Sequence, residues 1–272
     1  MGLIEDEDRP AYLIGRALHT LVLEGREAFE AQYAVGGPIN PKTGALYGSG
    51  TKAFAEWAAE QGKPVLTVEH RELVDRMAEG VRGHGLARDL LSEGIPEGVV
   101  PAEYGQMPCQ IRMDWFDPHA GLVGLKTCDD PQRAGASWRC RASVSTALER
   151  KLPPPAAARG WFEANARRYG YIYQVASYQA VLAKVIALPM PVYFVAVEKK
   201  EPYRCGVWKV HEDALAQARR ENEAAIERLR RCMDSVRQFP GATPRSPQPP
   251  TRQIRFPVWL RQAIEVRATR AL

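Results

Sequence analysis

The chain has 272 residues, 45% of them hydrophobic, and a formal net charge of +5, which is length enough for one large domain or two small ones with an ordinary core. Its five cysteines (Cys109, Cys128, Cys140, Cys205, Cys232) are scattered and form no CxxC pair, which argues against iron–sulfur or zinc ligation. No run of eighteen or more apolar residues occurs, and Glu5-Asp6-Glu7-Asp8 stand where a signal peptide would have bases, so no membrane partner and a cytoplasmic location with reduced thiols are expected.

From Pro10 to about Gln32 the residues Leu13, Ala17, Leu18, Leu21 and Val22 recur at helical spacing, which puts His19 on or beside a buried face. A Gly/Pro/Asn-rich stretch from Gly36 to Gly50 interrupts the pattern. Helices are expected over Thr51–Gln61 and Glu69–Leu91, the second begun by Thr67 as N-cap. At Val99 the character changes: residues 99–104, 107–116 and 121–127 are short alternating or β-branched runs between turn residues, an antiparallel meander. Residues 129–160 are rich in Arg, Ala and Pro and read as an irregular excursion; residues 131–170 hold eight Arg/Lys against two Glu. A helix over Ala156–Ala187, strands Val192–Lys199 and Tyr203–Val210, and a charged helix from His211 to Gln238 follow. Residues 240–253 are a Pro-rich linker by composition, and 254–272 a basic segment packing on the domain formed by 1–239. A meander, a crossover helix and further strands make a mixed α/β sheet flanked by helices.

Asp114 and Lys126 fall at facing ends of the last hairpin of the meander. Positions 124 and 126 share one strand face, while Leu125 points inward and its carbonyl stays free to ligate. A carboxylate on one strand, and an acid and a lysine two residues apart on the next, suit phosphodiester hydrolysis: hard oxygens hold a divalent metal, and a cation orients water or neutralises developing charge. Here the acid position is Gly124. Asp114 also fits a hairpin residue near a turn, and Lys126 an edge lysine that discourages sheet pairing.

The segments Gly15-Arg-Ala-Leu-His19-Thr-Leu-Val-Leu-Glu24, Gln110-Ile-Arg-Met-Asp114, Leu125-Lys126-Thr127, Tyr169-Gly-Tyr171-Ile-Tyr-Gln174-Val-Ala-Ser-Tyr178 and Val195-Ala-Val-Glu198-Lys-Lys-Glu-Pro202-Tyr203 together resemble the RecE-type exonuclease (exodeoxyribonuclease VIII) domain of the PD-(D/E)xK superfamily. They come in family order. The resemblance implies a restriction-endonuclease-like core and a phage or prophage recombination exonuclease. Such an enzyme degrades linear duplex DNA ends from the 5′ strand, leaving a 3′ single strand for a RecT-like annealing partner. It further implies Mg2+, with Mn2+ as substitute, and a homo-oligomeric ring. By the same resemblance Asp114 is the first catalytic acid and a metal ligand, Lys126 the catalytic lysine, and His19 a residue of the metal site together with the Leu125 carbonyl. Gln174 and Tyr178, four residues apart on one helix face, match a Gln-xxx-Tyr motif that contacts DNA or the catalytic groups.

His19 on a Leu-rich helix also fits a core histidine, Tyr171 and Tyr178 fit core aromatics, and Glu198 fits a salt-bridge residue better than a ligand. In the family the residue two before the lysine is Asp or Glu, so Gly124 removes one charge and one oxygen from the metal shell. Three alternatives stay open: another carboxylate replaces it, with Glu103 first and Asp129 or Asp130 next; the protein is a catalytically impaired or silent DNA-binding relative; or it is an inactivated variant. The basic stretch after Lys126 fits a DNA-contacting loop and a solvated insertion equally.

Overall fold

The computed structural model describes residues 10–128, 162 and 165–237. Asp129, Asp130, the stretch to residue 160, the linker 240–253 and the segment 254–272 lie outside the described residues. Helix α1 (Pro10–His19) begins at a proline, which suits a first helical turn, and buries Ile14, Ala17 and Leu18. Its continuation, Thr20–Glu24, is a π turn closed by Gly25 N–H donating to Thr20 O at 3.0 Å. Gly25 has φ 95°, a conformation that side chains disfavour, so the single helix expected over 10–32 is broken there and α2 spans Arg26–Gln32.

Two-residue strands β1 (Ala34–Val35) and β2 (Val65–Leu66) pair in parallel. They are too short to leave an alternation in the sequence. Between them α3 (Lys52–Glu60) starts where the Thr51 hydroxyl accepts from Phe54 N–H. Thr67 caps α4 (Val68–Gly83) as expected, accepting from His70 N–H at 3.2 Å. The helix expected to run on to residue 91 stops at His84, which is extended and turns its own Nδ1 to Ala87 N–H, capping α5 (Gly85–Leu90).

The main sheet has five strands in the order β3-β4-β5-β6-β7. Strands β3 (Ile95–Tyr104) and β4 (Met107–Asp117) are antiparallel across Gly105 and Gln106, both at positive φ (59° and 60°), the pattern of a type I′ hairpin turn. Strand β3 starts four residues before the expected Val99. Pro96 and Gly98 read as turn residues, yet both pair with β4, and β3 is an edge strand where proline is tolerated.

Strand β5 (Gly121–Cys128) pairs antiparallel with β4, after a turn in which Asp117 Oδ1 accepts from His119 N–H at 2.6 Å. Gly121 has φ 127°, and a Cβ there would run into the Pro191 carbonyl. The helical residues 165–168 are separated from α6 (Tyr171–Ile186) by Gly170 in the left-handed region, so the expected helix over 156–187 is interrupted. Strands β6 (Val192–Glu198) and β7 (Cys205–Lys209) and helix α7 (Glu212–Arg237) complete the order. Leu122 N–H bonds Pro191 O and Lys199 N–H bonds Cys128 O, so β5 and β6 run parallel; Glu198 to Arg204 and Val210 to Val192 bonds make β6 and β7 antiparallel. The sheet is therefore mixed, as expected.

Contacts divide the described chain into two compact units woven from separate segments. One takes residues 10–92, 125–128 and 195–207; the other takes 93–124, 162, 165–194 and 208–237. In the first, Leu18, Leu21, Phe29, Leu66, Val74 and Met77 are fully buried, and the Arg71 guanidinium lies 4.4 Å from the Phe29 ring centre while binding Asp75. In the second, α6 packs on β3, β4 and α7. Tyr104 and Tyr173 donate to Glu223 and Glu221 at 2.5 and 2.6 Å, fixing α7 to its neighbours. Among the described residues no helix is long and apolar enough to cross a membrane.

Candidate active site

In the unit containing the β3–β4 hairpin, Asp114 is half-buried on β4. The pairs Trp115↔Val123 and Phe116↔Leu122 bring Gly124 opposite it. A Cβ built on Gly124 would lie 3.8 Å from Asp114 Oδ2, so a side chain there would point at the carboxylate. The space is taken. The same Cβ would sit 3.0 and 3.1 Å from two carbons of the Phe194 ring, and that ring is 1% exposed. It is held by Phe162 at 5.5 Å and Tyr171 at 6.2 Å between centroids, with Phe162 stacked on Trp208 at 4.4 Å. An aromatic side chain thus packs over the glycine at the position where the second acid was expected.

On the other side of Asp114, Pro96 pairs with Trp115 and Gly98 with Met113, which leaves Glu97 facing Asp114. Glu97 has φ 50°, a strained setting for a side chain, and its carboxylate meets Arg112 Nε at 3.1 Å. Sequence reasoning missed Glu97 because Pro96 and Gly98 masked the start of the strand. The signal was present: the two-residue turn at 105–106 fixes the register, and counting back along the hairpin opposes Glu97 to Asp114. Glu103, the expected substitute carboxylate, pairs with Pro108 beside the turn and is exposed. Six residues of strand, about 20 Å, separate it from the Glu97 rung, so the structure does not bring it to Asp114.

Helix α6 brings its own pair to this place. Gln174 Nε2 donates to the Tyr178 hydroxyl at 2.9 Å. Burial raises the Tyr178 hydroxyl pKa above its ordinary value, as does the negative charge of Asp114; the Gln174 hydrogen bond and Arg112 oppose the rise, and Glu97 adds to it. Asp114, Arg112, Glu97 and Tyr178 thus share one electrostatic neighbourhood.

The other unit holds His19, Leu125 and Lys126. His19 Nε2 lies 2.8 Å from Leu125 O across 106 residues of sequence, and a Cβ at Gly15, one turn earlier on α1, would be 4.0 Å from Thr127 Oγ1. With Nε2 protonated, the contact is a hydrogen bond that holds the carbonyl. With the proton on Nδ1 instead, Nε2 and the carbonyl oxygen would both be open as donors to a divalent ion. A neutral imidazole and a carbonyl are compatible donors for such an ion, so these residues fit it. Among the described residues no group of three or more His, Cys, Asp or Glu gathers as a metal cage. Lys126 is half-buried. Glu198, on the continuation of β6 in this unit, is buried and bound by Arg204 Nε at 2.9 Å, as a salt-bridge residue would be.

The model of a family described as a PDDEXK-like domain of unknown function (DUF3799) matches residues 1–143 and 155–242 of this chain. A crystal structure of a candidate exonuclease from Eubacterium rectale is similar with a TM-score of 0.55, over 85% of this chain and 70% of that one, at 16% sequence identity. At that identity the likeness is one of fold. No curated protein matches the chain.

Proposed function

We propose, because this chain belongs to the PDDEXK-like family of unknown function whose model it matches over most of its length, that it is a metal-dependent nuclease. The observation that carries the proposal is the 2.8 Å approach of His19 Nε2 to the Leu125 carbonyl: two residues far apart in sequence, both expected at a metal site, meet in the fold. The charge of Asp114 felt at Tyr178 supports it independently.

In this reading Asp114 in one unit, and the Leu125 carbonyl and His19 in the other, would each serve as donors to a divalent cation, Mg2+ with Mn2+ as substitute; it is the family resemblance that groups them. When bound, such an ion polarises a phosphoryl oxygen and acidifies water. Lys126 orients the attacking water and offsets charge developing on the phosphate. Gln174 and Tyr178 position DNA, their mutual hydrogen bond fixing the direction of the hydroxyl. Glu97, facing Asp114, brings the second negative charge that Gly124 lacks. The finer reading is an exonuclease of RecE type working in the cytoplasm on linear duplex ends, 5′ to 3′. Its 3′ strand would pass to a RecT-like annealing protein, and the protein would act as a ring-shaped homo-oligomer.

One observation favours a second reading. Phe194 packed on Gly124 is what a silent DNA-binding relative would retain after its second acid was lost. Digestion of a linear duplex with and without Mg2+, by the parent chain and by Lys126→Ala, separates the two. Metal-dependent digestion lost in Lys126→Ala supports the nuclease; DNA binding without digestion in either protein establishes the silent relative.

A further inference from the structure

The segment leading into α6 has aromatic and basic side chains that the roles above leave unused. Tyr169 is 60% exposed although its ring is large and apolar. It is stacked on Tyr171 at 5.8 Å between centroids with the planes 28° apart, so one face is supported from within the protein. The Arg168 guanidinium stands 5.6 Å from the Tyr169 centroid, near the outer limit of about 6 Å for a cation–π contact, and Arg167 and Arg168 are both exposed. Gly170, left-handed at φ 69°, turns the chain between the two tyrosines so that consecutive aromatic positions come face to face.

These rings do not end at the surface. Tyr171 is 6.2 Å from Phe194, and Phe194 is the side chain packed over Gly124 beside Asp114. Within one unit a file of aromatic rings therefore runs from an exposed tyrosine to the neighbourhood of the candidate acid.

We infer that Tyr169, backed by Tyr171 and flanked by Arg167 and Arg168, is a stacking platform for an unpaired nucleobase at a frayed or single-stranded DNA end, with the arginines on the adjoining phosphates. The inference rests on the nuclease reading and adds a site to it. A rigid exposed ring accepts any base face, and arginine supplies both phosphate contact and stacking. A base arriving on Tyr169 displaces Arg168 from the ring, and the guanidinium turns to the backbone. The platform selects ends over interior duplex, because only an unpaired base offers a free face.

The test is binding in EDTA, where no digestion occurs. Two duplexes are compared by anisotropy, one blunt and one with a short single-stranded end containing 2-aminopurine, whose fluorescence is quenched by stacking. Wild type binds the tailed duplex more tightly and quenches it. Tyr169→Ala weakens tailed-duplex binding about 5- to 150-fold, the range set by stacking one base, and abolishes the quench, while blunt-duplex affinity and the far-UV circular dichroism stay unchanged. Tyr169→Trp retains both affinity and quench. Quenching preserved in Tyr169→Ala, or an equal loss on both duplexes, overturns the platform. A changed oligomeric state with unchanged DNA binding also overturns it and assigns the ring to a protein contact. Wild type failing to bind either duplex also overturns the platform, while the nuclease reading is decided separately by Mg2+-dependent digestion in the parent and in Lys126→Ala.

Discussion

Gly124→Ala isolates the packing argument at the acid position. The φ of Gly124 lies outside the left-handed range, so the backbone accepts an L residue, and relief of unfolded-chain entropy alone would stabilise by about 0.4–1 kcal/mol. Against that, the new methyl meets the Phe194 ring at 3.0–3.1 Å, where ordinary contact begins at 3.4 Å. The ring is 1% exposed and wedged by Phe162 and Tyr171. Overpacking of this kind costs about 1–3 kcal/mol, so the net effect is a loss of about 1–2 kcal/mol, or roughly 3–6 °C in melting temperature.

Gly124→Asp adds repulsion from Asp114. At about 4 Å and an effective dielectric of about 20 the pair repels by about 4 kcal/mol, capped when one carboxyl takes up a proton. In a Phe194→Leu background both substitutions are relieved, and the double-mutant cycle should give a coupling of at least about 1 kcal/mol. There Gly124→Asp should also recover stability with divalent cation, by about 2.7 kcal/mol at a hundredfold excess over Kd. Thermal melts with and without Mn2+ measure all of this. Gly124→Ala melting at or above wild type, with no coupling to Phe194→Leu, would refute the claim that the ring holds the space.

Replacing His19 with Ala should cost about 1 kcal/mol from the bond to Leu125 and lower Mn2+ affinity by about tenfold or more in calorimetric titration; unchanged affinity would remove His19 from the donor set. Glu97→Gln should weaken Mn2+ binding while leaving Glu103→Gln at wild-type affinity, and equal behaviour of the two would deny Glu97 its role. Tyr178 ionises above its ordinary value near 10.0 because of burial and Asp114. Its folded pKa is raised, so the associated stability is whole below that value and is lost as pH rises through the folded pKa; in alkaline spectrophotometric titration, Asp114→Asn should lower the Tyr178 midpoint, with Tyr178→Phe identifying the signal. Burial pushes the Cys205 thiol up to about 12, so a thiol reagent at neutral pH should modify exposed Cys232 and reach Cys205 only on unfolding.

Helix caps and strand runs were legible wherever the local signal and the tertiary structure agree: Thr67 caps α4, and the three strands of the meander pair as a meander. The sequence misled where one residue decides a break. Gly25 and His84 sit inside good helical periodicity, and only their backbone angles show that the helices end there. At the site, the absence of an acid at position 124 is a property of one residue and was readable. What fills the space was not, because Phe194 arrives from a strand seventy residues later. Glu97 was hidden for the opposite reason: its neighbours Pro96 and Gly98 resemble a turn, and an edge strand tolerates both.

The discontinuity of each unit in sequence bears on how the protein is made. Among the described residues, the unit holding His19 joins 125–128 and 195–207 to 10–92. On the ribosome its helices emerge early, while its strand residues 125–128 follow near the middle of the chain and 195–207 only in the last third. The nascent protein therefore holds apolar helix faces without their final cover for much of translation. No cut at a single loop yields either unit intact, so limited proteolysis should leave nicked, associated fragments instead of a separable domain.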